Sequence, residues 1–251
     1  GLGDVYKRQS LSPAQRYERA LATHLKDQLD NLTRREEVMA AEILRTGKVI
    51  VSGDGYPAQT VNFGRDEALT KALTSTATWD SSGVNPVDDL EDWAITIQDK
   101  SGMVAKTVVM DPLAWKLFRS NETVQKYLDI RRGTNNSLNI DPVLRSEDAK
   151  ARNVGSIGDF DIWVYNDTYI NDAGVTTKLL PEKTVLLGSR EGLEGTRCYG
   201  AIHDEKANWT ANRYFTKSWL EEDPSVRWLL LQSAPLVVPY RPNASMCVTV
   251  G

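Results

Sequence analysis

Apolar residues step by three and four along the first part of the chain, at Tyr17, Leu21, Leu25, Leu29 and Leu32, then at Met39, Ile43 and Leu44. That spacing is one face of an amphipathic helix, and Glu18, Arg19, Lys26, Asp27, Arg34 and Arg35 fill the other side. Ser12 offers an N-cap, Pro13 suits the first helical position and Gln15 completes an S-x-x-Q capping box. Gly47 stops the helix. A helix from Pro13 to Thr46 would run about 50 Å at 1.5 Å per residue. The a/d repeat lapses between Leu32 and Met39, which argues against a coiled-coil dimer. The expectation is a continuous helix lying across a sheet, with Leu21, Leu25, Leu29 and Leu32 inward.

The pattern then changes. Residues 48–52 and 59–63 are β-rich runs around Gly53-Asp54-Gly55, which predicts a hairpin with these three residues as its turn rather than a phosphate or metal loop. Thr74 to Pro86 is rich in Ser, Thr, Asp and Gly and reads as a loop. Val87, Leu90, Trp93, Ala94 and Ile97 predict a helix. Thr107–Met110 is a short strand, followed by Asp111 as cap and Pro112 as opener of the next helix. A further helix is expected from Ser120, ending in a polar loop after Arg131 and Arg132. Phe160, Ile162 and Val164 alternate with Asp161, Trp163 and Tyr165, as in a half-buried strand. Residues 169–180 read as a hairpin turning at Asn171–Gly174, and Thr184–Gly188 as a strand. Two last strands are expected over Arg227–Val238 and Ser245–Val250. Helices and strands interleave without a regular βαβ period, so the fold class is α+β.

Composition narrows the function. Of 251 residues, 41% are hydrophobic and 25% charged, ordinary for a globular chain with a real core. The longest apolar run, Trp228 to Leu231, is far short of a membrane span. A formal charge of −4 is not that of a nucleic-acid binder that works by neutralising phosphates. Cys198 and Cys247 are too few for a disulfide framework and fit a reducing compartment.

Candidate chemistry is sparse. His24 and His203 stand apart, without other ligands at metal spacing, so no metal site is expected from them. Asp88, Asp89, Glu91 and Asp92 crowd the first turns of a helix, where its dipole favours negative charge and no metal is needed to explain them. Arg131 and Arg132 read as solvated charge, although a phosphate or a neighbouring subunit's carboxylate would suit them. There is no G-x-S-x-G, phosphate loop or dinucleotide fingerprint. No catalytic residues, cofactor or metal are expected. Residues 1–9, without an initiator Met, read as a leader foreign to the pattern and are set aside.

Five co-linear segments carry a resemblance. They are Val108-Val-Met-Asp-Pro-Leu-Ala-Trp-Lys-Leu-Phe-Arg-Ser120, Tyr127-Leu-Asp-Ile-Arg-Arg-Gly133, Gly158-Asp-Phe-Asp-Ile-Trp-Val-Tyr165, Leu180-Pro-Glu-Lys-Thr-Val-Leu-Leu-Gly188 and Gln232-Ser-Ala-Pro-Leu236. In this order they resemble the lambda-type major capsid proteins of tailed phages, the phage capsid E family. The resemblance implies the Hong Kong 97 capsid fold, with a spine helix, a peripheral sheet and an axial domain. It places a peripheral domain over residues 10–86, an axial domain over 87–190 and a return to the peripheral domain over 191–251. The family's N-terminal arm and most of its extended loop are expected to precede Leu11, so the chain reads as N-terminally truncated.

The function so implied is structural. Copies form pentamers and hexamers of an icosahedral head around double-stranded DNA, which is touched only non-specifically. Decoration, scaffolding and portal proteins are the expected partners, with no membrane. The protein is placed in the virion, and in the host cytoplasm during assembly. A shell works by burying surface between copies and needs no catalytic constellation. Two alternatives differ in class: the shell of a bacterial nanocompartment, separable by its cargo, and a soluble α/β hydrolase or metal-dependent enzyme. The latter would rest on Asp88–Asp92 and His203-Asp204-Glu205.

Overall fold

The computed structural model describes residues 12–53, 56–126 and 150–251. Helix α1 runs without a break over Pro13–Thr46, the bounds the apolar spacing predicts. Its capping box is reciprocal: Gln15 N–H donates to Ser12 Oγ at 3.2 Å and Ser12 N–H to Gln15 Oε1 at 2.9 Å. At the other end Gly47 takes φ +70°, and a Cβ there would lie 2.5 Å from the Cβ of Arg65. The close approach is functional in the fold. The Arg65 guanidinium donates to the carbonyls of Leu44 and Arg45, each at 2.6 Å, and to Thr70 Oγ1. Those carbonyls have no partner within the helix, and a buried cation complements the negative end of its dipole.

Strands β1 (Lys48–Gly53) and β2 (Tyr56–Asn62) pair antiparallel as the expected hairpin; Asp54 and Gly55 of its turn lie outside the described residues. Strand β3 (Thr70–Ala72) follows. Helix α2 (Pro86–Ser101) begins at the N-cap Asn85, whose side chain accepts from Val87 N–H, and ends at Gly102 with φ 70°. Strand β4 (Thr107–Met110) leads to Asp111, which caps helix α3 (Pro112–Ser120) as expected. Residues 122–126 are again helical, started by Asn121, whose side chain accepts from Thr123 N–H. The rest of that expected helix, with Arg131 and Arg132, lies outside the described residues.

The chain continues through β5 (Ala151–Ile157), β6 (Phe160–Tyr165), the hairpin β7 (Thr168–Ile170) and β8 (Thr176–Lys178), and β9 (Thr184–Gly188). Then come β10 (Gly195–Tyr199), β11 (Phe215–Glu221), β12 (Val226–Gln232), β13 (Pro235–Pro239) and β14 (Ser245–Thr249). The single strand expected over Arg227–Val238 is thus two, parted at Ser233-Ala234. Strands β5, β10 and β11 carry too weak an apolar alternation to have been expected.

Two compact units result. Of the described residues, unit 1 comprises 12–37 and 197–236, and unit 2 those of 38–196 and 237–251. Unit 2 holds a six-stranded sheet in the order β3-β14-β9-β4-β6-β5, mixing parallel and antiparallel pairs. One face, with Val108, Met110, Ile162, Val185, Leu187, Met246 and Val248, is covered by α2 and α3. Trp79 stacks on Trp93 at 5.9 Å within that core, and Phe118 is tilted against it. Asp111, 1% exposed, ties the layer together: it accepts from Leu113 N–H and Lys183 N–H and pairs with Lys178.

The position of β14 differs from expectation. It lies between β3 and β9 in the same sheet as β4 and β6, not with β1 and β2 in a sheet of its own. The reason is in its sequence. Ser245, Met246, Cys247 and Val248 are all buried, so the strand needs cover on both faces, which a central strand has.

Candidate assembly surfaces

Within unit 1 little apolar surface is enclosed. Among the described residues its buried apolar side chains are Leu32, Ile202 and Ala207, while Leu21, Leu25 and Leu29 on α1 are half-buried. Gln28 reaches the carbonyl of Leu229 on β12 at 3.2 Å, so this face of α1 does meet the hairpin, but only loosely. The hairpin β11–β12 has no third strand among the described residues. Trp219 and Trp228 stand directly opposite in its register and stack at 6.1 Å, yet they are 41% and 49% exposed. Leu220 and Val226 are exposed beside them. An isolated two-stranded hairpin is marginal in water, and exposed apolar area of this kind marks interaction surface.

Polar contacts pin the remainder of unit 1. Glu36 is buried on α1, accepting from Tyr199 O–H at 2.9 Å and pairing with Arg197 at 3.3 Å. Burial, and then the Glu36 carboxylate, push the Tyr199 hydroxyl above its ordinary range. Asp204 accepts from Lys217 and from Lys206 N–H, and both hold its carboxyl below the usual range.

Unit 2 has two concave surfaces. On the sheet face away from α2 and α3, Val109, Trp163, Tyr165 and Leu186 line a groove of about 470 Å³, with Asp161 and Arg190 beside it. Next to α3 a second groove of about 390 Å³ is lined by Trp115, Lys116, Arg119, Lys150, Arg152 and Val164 among others. The sequence reading missed both Trp219–Trp228 and these four cations. The tryptophans flank the Asp223-Pro224 turn at hairpin register, a signal that was present; the cations are scattered over residues 116–152, and only the fold gathers them.

The residues weighed from sequence are dispersed. His24 is exposed on α1, and His203 is exposed with its ring edge-on to Trp209 at 4.4 Å. Asp204 is engaged as described, and Glu205 is exposed. Asp89 accepts from Trp79 Nε1 at 2.8 Å, and its burial raises its pKa above the ordinary carboxylate range. Among the described residues no three His, Cys, Asp or Glu side chains are grouped to hold a metal ion. Cys198 is exposed and Cys247 buried, its thiol pushed up to about 11 by burial against the counteracting pull of Arg65 and Arg45. Among the described residues no helix is long and apolar enough to cross a membrane.

The conspicuous surfaces of this mixed α+β chain are broad and apolar or charged, of the kind that contact between proteins covers. The comparisons agree in kind. The description of the phage major capsid protein E family matches residues 4–250. The major capsid proteins of Escherichia phage lambda and Enterobacteria phage phi80 are each 30% identical over 246 residues, covering 95% of this chain and 70% of theirs. The fold matches the crystal structure of a prophage capsid protein from E. coli CFT073, with a TM-score of 0.76 at 23% identity, over 96% of this chain and 72% of that one. The chain belongs to the phage major capsid protein E family, and its role is that of a structural capsid subunit. The match begins inside residues 1–9, the segment set aside above, which lies outside the described residues.

Proposed function

We propose that the chain is the repeating subunit of a closed icosahedral phage head of the Hong Kong 97 type, built from homo-pentamers and homo-hexamers around double-stranded DNA. In this reading α1 is the spine helix, the six-stranded sheet of unit 2 belongs to the axial domain, and unit 1 with the β1–β2 hairpin is peripheral. The observation that carries it is the exposed Trp219–Trp228 pair on a hairpin without a third strand, in a unit that encloses little core of its own. Such a surface is a liability in a solitary protein and is useful where neighbouring copies cover it. Closed rings arise when one patch meets a different patch on the next copy through a rotation. A net charge of −4 suits a container that must not grip its packaged phosphates. Decoration, scaffolding and portal proteins are then partners of the assembled shell.

The test is electron microscopy of the product expressed from its whole gene. Closed particles with five- and six-fold capsomers, filled with DNA on infection, are expected. Particles loaded with an enzyme in place of DNA would make it a nanocompartment shell, and the absence of any particle would contradict the assembly reading.

A further inference from the structure

Two charged surfaces of unit 2 remain unexplained by its own fold. On α2 the exposed residues Asp88, Glu91, Asp92, Ile95 and Asp99 share one face, Asp88, Asp92, Ile95 and Asp99 at helical steps of three and four with Glu91 beside Asp92. The helix dipole accounts for Asp88 in the first turn. It disfavours Asp99 near the end of the helix, and it says nothing of Ile95, which is 57% exposed at the middle of this acidic stripe. The second surface is the groove beside α3. It gathers Lys116, Arg119, Lys150 and Arg152 above a floor of Trp115 and Val164. Lys150 pairs with Asp167 at 2.9 Å. Among the described residues no carboxylate pairs with Lys116, Arg119 or Arg152. Four cations around an aromatic floor, in a chain of net negative charge, make a receptor for an acidic surface with an apolar centre.

The acidic stripe of α2 has that composition, and among the described residues none of Asp88, Glu91, Asp92 and Asp99 is ion-paired with a cation of the groove. Helix α2 packs over β9 and β14, and Arg152 stands on β5 at the far edge of the sheet. At the usual strand spacing the two are separated by about 17 Å. Complementary faces left unpaired within one molecule can join head to tail between copies, which is the contact that generates rings. We propose that the acidic face of α2 in one copy docks in the Lys116–Arg119–Lys150–Arg152 groove of the next, with Ile95 against Trp115. The inference rests on the capsid reading and adds to it the pair of surfaces that joins adjacent subunits.

The test is charge reversal in the 251-residue chain, followed by sedimentation velocity at low and high salt. The changes are confined to exposed side chains, and circular dichroism checks that each variant is folded. At low salt the native chain is expected to self-associate. Arg119→Glu with Arg152→Glu, or Glu91→Lys with Asp92→Lys, should each weaken association about tenfold or more. The variant carrying all four changes should regain it, and high salt should weaken the native contact by screening. Native-like association by either double variant, or failure of the fourfold variant to recover, overturns the proposal. So does a native chain that stays monomeric at millimolar concentration. Retention of a 30-base-pair DNA duplex by the native chain, lost in Arg119→Glu with Arg152→Glu while self-association is unchanged, would make the groove a nucleic-acid contact instead. The capsid reading itself falls only if the whole-gene product forms no particles, so the two failures are separable.

Discussion

Unit 2 and unit 1 solve the problem of burying apolar surface in opposite ways. In unit 2 a mixed six-stranded sheet is covered by α2 and α3, and Leu90, Ile97, Val108, Met110 and Val185 are completely buried. Its polar groups inside that layer are saturated, Asp111 being the clearest case. Unit 1 encloses Leu32, Ile202 and Ala207 among its described residues and leaves its largest rings half in water. The difference teaches that one part of the chain encloses a core of its own, while the other leaves apolar surface that, in the proposed assembly, neighbouring copies cover. Exposed ring stacking such as Trp219–Trp228 and a few polar ties such as Tyr199–Glu36 hold unit 1 in shape in place of an extensive apolar core.

The two cysteines give the largest contrast, because each unit carries one. Cys198 is exposed in unit 1, and Cys247 is buried on β14. With its pKa near 11, only about a thousandth of Cys247 is thiolate at pH 8. In the folded chain one thiol should react promptly with a disulfide reagent, and the second at least about a thousandfold more slowly, on the timescale of unit 2 opening. Two equally fast thiols would mean that the central sheet is not closed.

Core truncations should separate the units by energy. Phe118→Ala removes a ring that is 1% exposed and should cost about 3–5 kcal/mol in denaturant unfolding. Asp111→Ala leaves Leu113 N–H and Lys183 N–H without their acceptor and should cost about 2–3 kcal/mol. Leu25→Ala removes a half-buried side chain in unit 1, and about 1 kcal/mol is expected. A Leu25→Ala cost as large as that of Phe118→Ala would show that unit 1 has a full core of its own.

The smallest effect is one of pH. Asp204 is held below the usual carboxylate range by Lys217 and by Lys206 N–H. Its contribution is therefore complete above the unfolded carboxylate value of about 4 and is lost as pH falls through the lower folded value. Asp204→Asn should remove that acid dependence from the tryptophan signals of unit 1 and leave those of unit 2 unchanged.

The same contrast decides what the sequence revealed. Helix α1 was legible to the residue because its cap, apolar stripe and terminal glycine agree. Strands β4, β6 and β9 were legible because buried strands must be apolar. Strand β5 was not: Ala-Arg-Asn-Val-Gly-Ser-Ile lies at the edge of the sheet, is mostly exposed and is broken by an irregularity at Asn153–Gly155. Strand β11, Phe-Thr-Lys-Ser-Trp-Leu-Glu, buries too little for period-two alternation to be selected. The cations of the basic groove come from α3, β5 and the residue before it, so no local pattern could join them. Sequence periodicity reports burial, and in the proposed shell the assembly surfaces are the places where burial is deferred to a neighbour.

Hydrogen exchange on the whole-gene product, before and after assembly, tests that deferral most directly. The amides of β4, β9 and β14 should be strongly protected in both states. Those of β11 and β12 should exchange rapidly in the free subunit and become protected in the shell. Equal protection of hairpin and sheet in the free subunit, or a hairpin that still exchanges freely in closed particles, would contradict the account.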